Sequence, residues 1–382
     1  MIMLLYLPAL IIYMTDILYF VYAAIALSHI SYQLFFIRGL AKIKPPDENN
    51  QQHEGVSVLI AARNEEKNLR LLVPHLFNQE YPLFEIIIVI NNTSDGTHDF
   101  LIGQQKIFSR LRIVILDFIP EHINSKKYAI TLGIRAASYN KILLTDADCL
   151  PVSKLWIKKM MAGYGIDTDF VLGFSPYRTK SGLLNKLIRF ETCVTAIQYL
   201  ASASNGVPYM GVGRNLSYQK SFFLSKNGFN GFQKIIGGDD DLFVNKNATS
   251  ENTSVILDPD SIVISEPEST FGGYFLQKIR HLSVGRHYKS RNKIFLGLYA
   301  LIHLLFWAGS ISGLVFNLNH VVIILIFTAG YIPFIAGFHM LNKKSGSYFP
   351  LTLVIFIDLI FIFFYIIVGS RSLFTRKIEW TS

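Results

Sequence analysis

Apolar positions in this chain follow two patterns. Near the ends they run almost unbroken, roughly Ile11 to Phe36, Phe295 to Phe316, Val321 to Leu341 and Tyr348 to Val368. Each run is about 20 residues or longer, enough for a helix to cross the hydrocarbon of a bilayer. In the middle they form short runs closed by polar turns: Val56 to Ala62, Glu85 to Ile90, Leu111 to Leu116 and Ile142 to Leu144. Short continuous runs suit strands buried on both faces. Helical spacing fills the gaps, as in Leu69, Leu72 and Leu76 after Glu65 and Glu66, and in Ala129, Ile130, Ile134 and Ala137 after Ser125-Lys126-Lys127. Asn64 is placed to cap the first of these helices. Strand alternating with helix predicts an α/β domain with a mostly parallel sheet. The expected organisation is an anchor over 1–44, a polar linker over 45–55, a catalytic-type α/β domain over 56–290 and a membrane region with about three helices over 291–382.

Composition sharpens the membrane reading. Of 382 residues, 51% are apolar and 16% charged, against about 25% charged in ordinary soluble proteins. The first run has no basic leader and no small-residue cleavage site, so it reads as a retained anchor rather than a signal peptide. Asp16 inside it marks the outer end of the span or faces protein. Lys and Arg number 36 against 27 Asp and Glu, a net +9, and part of the surplus flanks the apolar runs. Arg38, Lys42 and Lys44 follow the first; Arg286, Lys289, Arg291 and Lys293 precede the second. The positive-inside rule puts both flanks, and the domain between them, in the cytoplasm, as in a multi-pass protein of a bacterial inner membrane. Lys343 and Lys344 agree. With four spans Arg371, Arg376 and Lys377 would fall outside, so either one C-terminal segment is re-entrant or interfacial, or the rule fails here. Such charge suits lipid headgroups and a phosphate-facing site rather than nucleic acid. Cys149 and Cys193 give no disulfide framework and no metal spacing.

Two acidic clusters carry the candidate chemistry. Asp146 and Asp148 follow the apolar run at Ile142, at the carboxyl edge where open α/β sheets bind ligands. Two carboxylates there fit a hard divalent cation, Mg²⁺ or Mn²⁺, completed by substrate phosphates; capping the next helix is the plainer alternative. The second cluster is Gly237-Gly238-Asp239-Asp240-Asp241. Three adjacent carboxylates repel one another, which raises at least one pKa or recruits a cation. Helix capping would employ only one of them. The chain has neither the glycine fingerprint of dinucleotide binders nor a Walker motif, which argues against hydride transfer and P-loop hydrolysis.

Val58 to Glu65, the Ser94-Asp95-Gly96-Thr97 turn, Lys126 with Ala129, and Thr145-Asp146-Ala147-Asp148 stand in the order found in family 2 glycosyltransferases, and from Val56 to Lys289 the chain resembles a membrane-anchored member. The resemblance implies a GT-A (Rossmann-like) catalytic domain and metal-dependent, inverting transfer from a nucleotide-sugar donor. By that resemblance Ala61, Arg63 and Asn64 would hold the nucleotide and Glu65 would lie near the ribose or base. Lys126 would meet the diphosphate, and Asp146 and Asp148 the metal. The family's acid after the second strand is replaced by Ile90 or Asn91, where Asn91 can still hydrogen-bond a base edge. Asp240 matches the base, with Asp239 as its neighbour and Asp241 one register away. Gln277 and Arg280 match a Gln-x-x-Arg-Trp motif with His281 in place of Trp, which removes a stacking platform for a polymer end. The expected partners are the donor, a lipid-linked or glycan acceptor, and the bilayer. A processive polysaccharide synthase and a non-catalytic nucleotide-sugar-binding scaffold remain as alternatives.

Overall fold

The computed structural model describes residues 2–46, 54–316, 318–346 and 348–374. Most of the expected linker, and Arg376 and Lys377 of the tail, lie outside the described residues. A single helix, α1 (Ile2–Lys42), carries the first apolar run. The alternating region then folds as β1 (Val56–Ala62), α2 (Glu66–Phe77), β2 (Phe84–Asn91), α3 (Thr97–Ile107), β3 (Leu111–Leu116), α4 (Ser125–Ala136) and β4 (Lys141–Leu144). These four strands lie parallel in the order β3-β2-β1-β4. Val, Ile and Leu on both faces of β1 and β2 are buried, as helices above and below the sheet require. β3 closes one edge, and there the burial falls away, with Arg112 and Ile115 exposed.

Past β4 the strands shorten. β5 (Cys149–Pro151), α5 (Trp156–Met161), β6 (Phe170–Leu172), α6 (Leu183–Ser204), β7 (Leu216–Gln219), α7 (Lys220–Ser225), α8 (Asp241–Asn247), β8 (Thr253–Val255), β9 (Val263–Ser265) and α9 (Phe271–Gly285) follow. β7 runs antiparallel to both β4 and β6, and β8 joins β6 in parallel, completing the sheet order β3-β2-β1-β4-β7-β6-β8. β5 and β9 pair antiparallel in a small second sheet. The glycine-rich stretch before β7 is a 3₁₀ turn over Gly213–Asn215. Asn215 pins it, donating to the carbonyls of Phe174 and Ser261 at 2.8 Å and accepting from the Trp156 indole at 3.0 Å.

Three apolar helices complete the chain: α10 (Ser290–Val315), α11 (His320–Ser345) and α12 (Val354–Phe374). Four segments, Asp16–Lys42, Ser290–Val315, His320–Ser345 and Leu351–Arg371, are long and apolar enough to cross a membrane. α6 packs on α1, α11 and α12, so its apolar face is spent on the helical bundle. One polar network joins the four helices that carry these segments. His29 of α1 bonds His303 of α10 at 2.9 Å and the Gly330 carbonyl of α11 at 3.1 Å. The other His303 nitrogen meets Asp358 of α12 at 3.1 Å, and Trp307 and Tyr331 each donate to Asp358 at 2.9 Å. From Asp358, α12 turns its later half onto α9, where Phe364 stacks on Tyr274 with ring centroids 5.1 Å apart.

At Gly39 a Cβ would collide with the Ala201 carbonyl of α6. Gly39→Leu is therefore expected to pry α1 from α6 and lower stability by about 1–3 kcal/mol, read as an earlier thermal unfolding midpoint in detergent.

Candidate active site

Asp146 and Asp148 sit in the turn between β4 and β5, at the carboxyl edge of the parallel strands. Facing them is the first turn of α4. Asn124 caps that helix by accepting from the Lys126 amide at 3.1 Å, which fixes the start of the Lys126 side chain. The Lys126 ammonium then reaches Asp146 at 2.9 Å and Asp239 at 3.5 Å. One cation therefore links two acidic clusters that are far apart in sequence. The next residue works on the backbone: the buried Lys127 ammonium donates to the carbonyls of Ile235 and Gly237. Immediately beyond, Gly237 and Gly238 take φ of +78° and +76°, the left-handed region that glycine adopts at no steric cost. That double turn presents Asp239 to Asp241 to the site.

The three acids differ in what holds them. Asp239 is buried against Lys126. Asp240 caps α8, accepting from the Asp241 amide at 2.7 Å and, through its other oxygen, from the Gly213 amide at 2.6 Å. Asp241 accepts from the Tyr288 hydroxyl at 2.8 Å, while its buried Oδ1 has no partner. Capping thus engages one acid and leaves two for other work.

Burial and the neighbouring carboxylates set the electrostatics. Burial, then repulsion by Asp239, raises Asp240 against the pull of Lys126. Burial and Asp240 push Asp241 well above the carboxylate range. Asp146 and Asp148 diverge: burial works on both, but Lys126, with Arg214 and Arg280, outweighs it at Asp146 and holds that acid low. At Asp148 burial and Asp146 win, and its pKa rises. Glu65 rises too, through burial and through Asp148 and Asp146.

These groups line one cavity of about 1290 Å³. Its wall includes Glu65, Lys126, Asp146 and Asp148 from the parallel half, and Asp239, Asp240, Gln277 and Arg280 from the second half. Ala61, Arg63, Asn64 and Asn91 do not line it; they stand at the ends of β1 and β2, which pair Ala61 with Val89 and Ala62 with Ile90. Asn91 is buried with an unpartnered Oδ1. Asn64 is not the cap of α2, which starts a residue later at Glu66. It adopts φ +55° and accepts from the Ser94 amide at 2.8 Å. The open amides of α2 are met across the loop instead, Glu65 N by Thr97 Oγ1 at 2.9 Å and Glu66 N by Asp95 Oδ2 at 3.2 Å.

Two residues to which the sequence assigns no role join the site, the first of them in the glycine-rich stretch before β7, whose flexible backbone can approach a ligand closely. Arg214 stacks over the Tyr177 ring at 4.3 Å with a buried, unpartnered Nη1. Burial opposes its charge, but Tyr177, Cys149, Asp148 and Asp146 outweigh that and raise its pKa. Tyr288 is the second. Among the described residues no group of three His, Cys, Asp or Glu could enclose a metal ion. Asp146 and Asp148 nonetheless fit a divalent cation that takes its remaining ligands from phosphate and water, because the two carboxylates face one cavity and Asp148 has no direct ion pair among the described residues.

Residues 57–225 match the sequence profile of glycosyl transferase family 2. This stretch is a family 2 glycosyltransferase domain. Among curated proteins, the poly-beta-1,6-N-acetyl-D-glucosamine synthase of Staphylococcus epidermidis is 30% identical over 172 residues, 41% of this chain and 39% of that protein. The Staphylococcus aureus synthase is 28% identical over 171 residues, 43% of this chain and 40% of that one. The match thus spans about two fifths of the length of these relatives. A mannosyltransferase from Pyrobaculum calidifontis, solved with GDP-Man and Mn²⁺, superposes with a TM-score of 0.58 at 15% identity, covering 93% of this chain and all of that one. That likeness is one of fold, and the glycosyltransferase domain has the expected GT-A architecture with apolar helices on either side.

An acid whose pKa is raised on folding removes stability as pH climbs through its folded value. Asp241→Asn in this domain is therefore expected to raise the unfolding midpoint at neutral and alkaline pH, since Asn can still accept from Tyr288. The gain should vanish below about pH 4, where Asp is protonated in both states. Thermal melts across pH would show it.

Proposed function

We propose that the protein is a membrane-integral, metal-dependent glycosyltransferase that moves a sugar, with inversion, from a nucleotide-sugar donor to a lipid-linked or membrane-proximal acceptor. The observation that carries this reading is Lys126 joining Asp146 to Asp239 in one cavity. A divalent cation at Asp146 and Asp148 would supply electrostatic stabilisation for a diphosphate leaving group. Lys126 and Arg280 add fixed positive charge on the same side, where negative charge grows as the bond to the anomeric carbon breaks. Ala61, Arg63, Asn64, Glu65 and Asn91 form the nucleotide side, and Gln277 supports Arg280. Asp240 takes the proton from the acceptor hydroxyl as its oxygen bonds to the anomeric carbon. The backbone bonds to Asp240 hold it in place. The unpartnered Oδ1 of Asp241 favours that neighbour as the second choice for the base.

The domain lies on the cytoplasmic face of a bacterial inner membrane in this reading, between an anchor and a C-terminal membrane region. α1, α10 and α11 cross, while α12, one unbroken helix, does not cross and returns the chain to the same face, its later half packed on α9 beside the active site. That placement keeps Arg371 on the side of the other basic flanks, as the positive-inside rule asks. A processive synthase is the second reading, favoured by the names of the curated relatives and opposed by His281 in the position of a stacking Trp.

Purified protein in lipid should release nucleoside diphosphate from one member of a nucleotide-sugar panel, N-acetylglucosamine donors included, with Mg²⁺ or Mn²⁺. Asp148→Asn and Asp240→Asn should each cut the rate by about 10²-fold or more. No release together with no metal-dependent nucleotide binding would sink the enzyme reading in favour of a scaffold, and a product ladder would favour the synthase. A reporter fused after Ser382 should fold on the cytoplasmic side; activity of a periplasm-dependent reporter there would refute the returning helix.

A further inference from the structure

The cavity that holds the two acidic clusters also has an arm directed away from the sheet. It runs between α10 and α12, lined by Leu296, Ala300 and Leu304 on one helix and by Phe361, Ile362 and Ile366 on the other. The facing sides of α10 and α12 are mainly hydrocarbon, while His303 and Asp358 line the inner end. Leu301, Tyr365 and Ile366, all lining residues, are 49%, 40% and 43% exposed on the outside of the bundle. The arm is therefore open sideways, toward lipid in a membrane.

It is also blind. On α10 the lining ends at Leu304, 14 residues from Ser290 (304 − 290), or about 21 Å along the helix, short of a hydrocarbon core of about 30 Å. Its inner end is closed by the network in which His303, Trp307 and Tyr331 bind Asp358. A growing glycan would find no way across the membrane along this arm. A tail lying sideways needs none.

At the catalytic end the cavity wall includes Arg214, a cation whose buried Nη1 has no partner. Tyr177, beneath its guanidinium, belongs to the apolar cluster of Ile188 and Tyr274 against which Phe364 of α12 packs. Arg214 therefore stands at the junction of the polar chamber and the wall made by α12. We propose that this arm is the tail site of a lipid acceptor carrying a phosphate, with Arg214 receiving the phosphate and α10 and α12 the hydrocarbon chain. The proposal rests on the transferase reading and narrows its acceptor to a phosphorylated lipid presented from the bilayer.

The test uses the full chain in lipid nanodiscs and a diazirine-bearing farnesyl phosphate, with the matching farnesol and a diazirine-bearing soluble chito-oligosaccharide for comparison. Light should attach farnesyl phosphate to peptides of α10 and α12, in preference to farnesol. Gly297→Leu should reduce that labelling by about tenfold or more, since a Cβ at Gly297 has no neighbour within 4 Å and the new side chain extends into open space at the mouth. Metal-dependent donor binding should be unchanged in this variant, which also checks its fold. Arg214→Gln should abolish the preference for phosphate over alcohol, a loss of about tenfold for one charge-assisted contact. Equal labelling by farnesol in the wild type, labelling elsewhere, or indifference to Gly297→Leu would overturn the site, and oligosaccharide labelling in the arm would replace it with a glycan path. Labelling as expected without donor release would refute the transferase reading and leave the lipid site standing, whereas donor release without labelling would refute the site alone.

Discussion

The second half of this domain is held to the first by the opening turn of α4. Lys126 spans Asp146 and Asp239, Lys127 holds the carbonyls of Ile235 and Gly237, and the Asn124 amide donates to the Gln233 carbonyl at 2.8 Å. Three successive anchors within four residues fix the 233–241 segment against the parallel sheet. Carboxylates so close together would otherwise repel. Lys126 between them offsets that repulsion with one ammonium shared by Asp146 and Asp239. Removing that ammonium would leave buried acids uncompensated, a larger loss than that of a surface ion pair.

That arrangement divides the chemistry by strand direction. The parallel half ends in the acids suited to a cation and a diphosphate, as the carboxyl edge of such sheets allows. β7, antiparallel to β4, brings the Gly213 amide to Asp240 from the opposite side. A Cβ at Gly213 would come within 3.2 Å of the Asp240 carboxylate, so the close approach depends on glycine there. α9 closes the chamber with Gln277 and Arg280, and the same helix receives the end of α12. Chamber and apolar helices therefore share a wall.

The sequence made the first four strands legible because each is an apolar run closed by polar residues, with helical spacing between them; β3 matched its predicted bounds. β6 falls where an apolar run, Phe170 to Leu172, precedes a turn at Gly173; β5, β8 and β9, three residues each, are too short for periodicity to register. Among site residues, Asp146, Asp148, Lys126 and the Asp239–Asp241 cluster stood out by charge in apolar or glycine-rich surroundings. Arg214 and Tyr288 did not, since their meaning comes from Tyr177 and Asp241, 37 and 47 positions away (214 − 177; 288 − 241). The cap assigned to Asn64 failed for a related reason: Asp95 and Thr97, from the next loop, supplied what a local reading sought within the helix. The length of α12 reads as a span, which its composition allows, while Phe364 against Tyr274 ties its later half to α9.

Asp358 bears on how the protein is assembled. A carboxyl group is costly within hydrocarbon, and here its hydrogen-bond partners come from α10 and α11, with His29 of α1 steadying His303 behind them. Asp358 therefore has a pocket only where the other three helices have gathered, and α12 is held to the bundle through a group it could not bury alone. The same helix walls the cavity through Phe361 and Ile362, so seating Asp358 and closing that wall are one event.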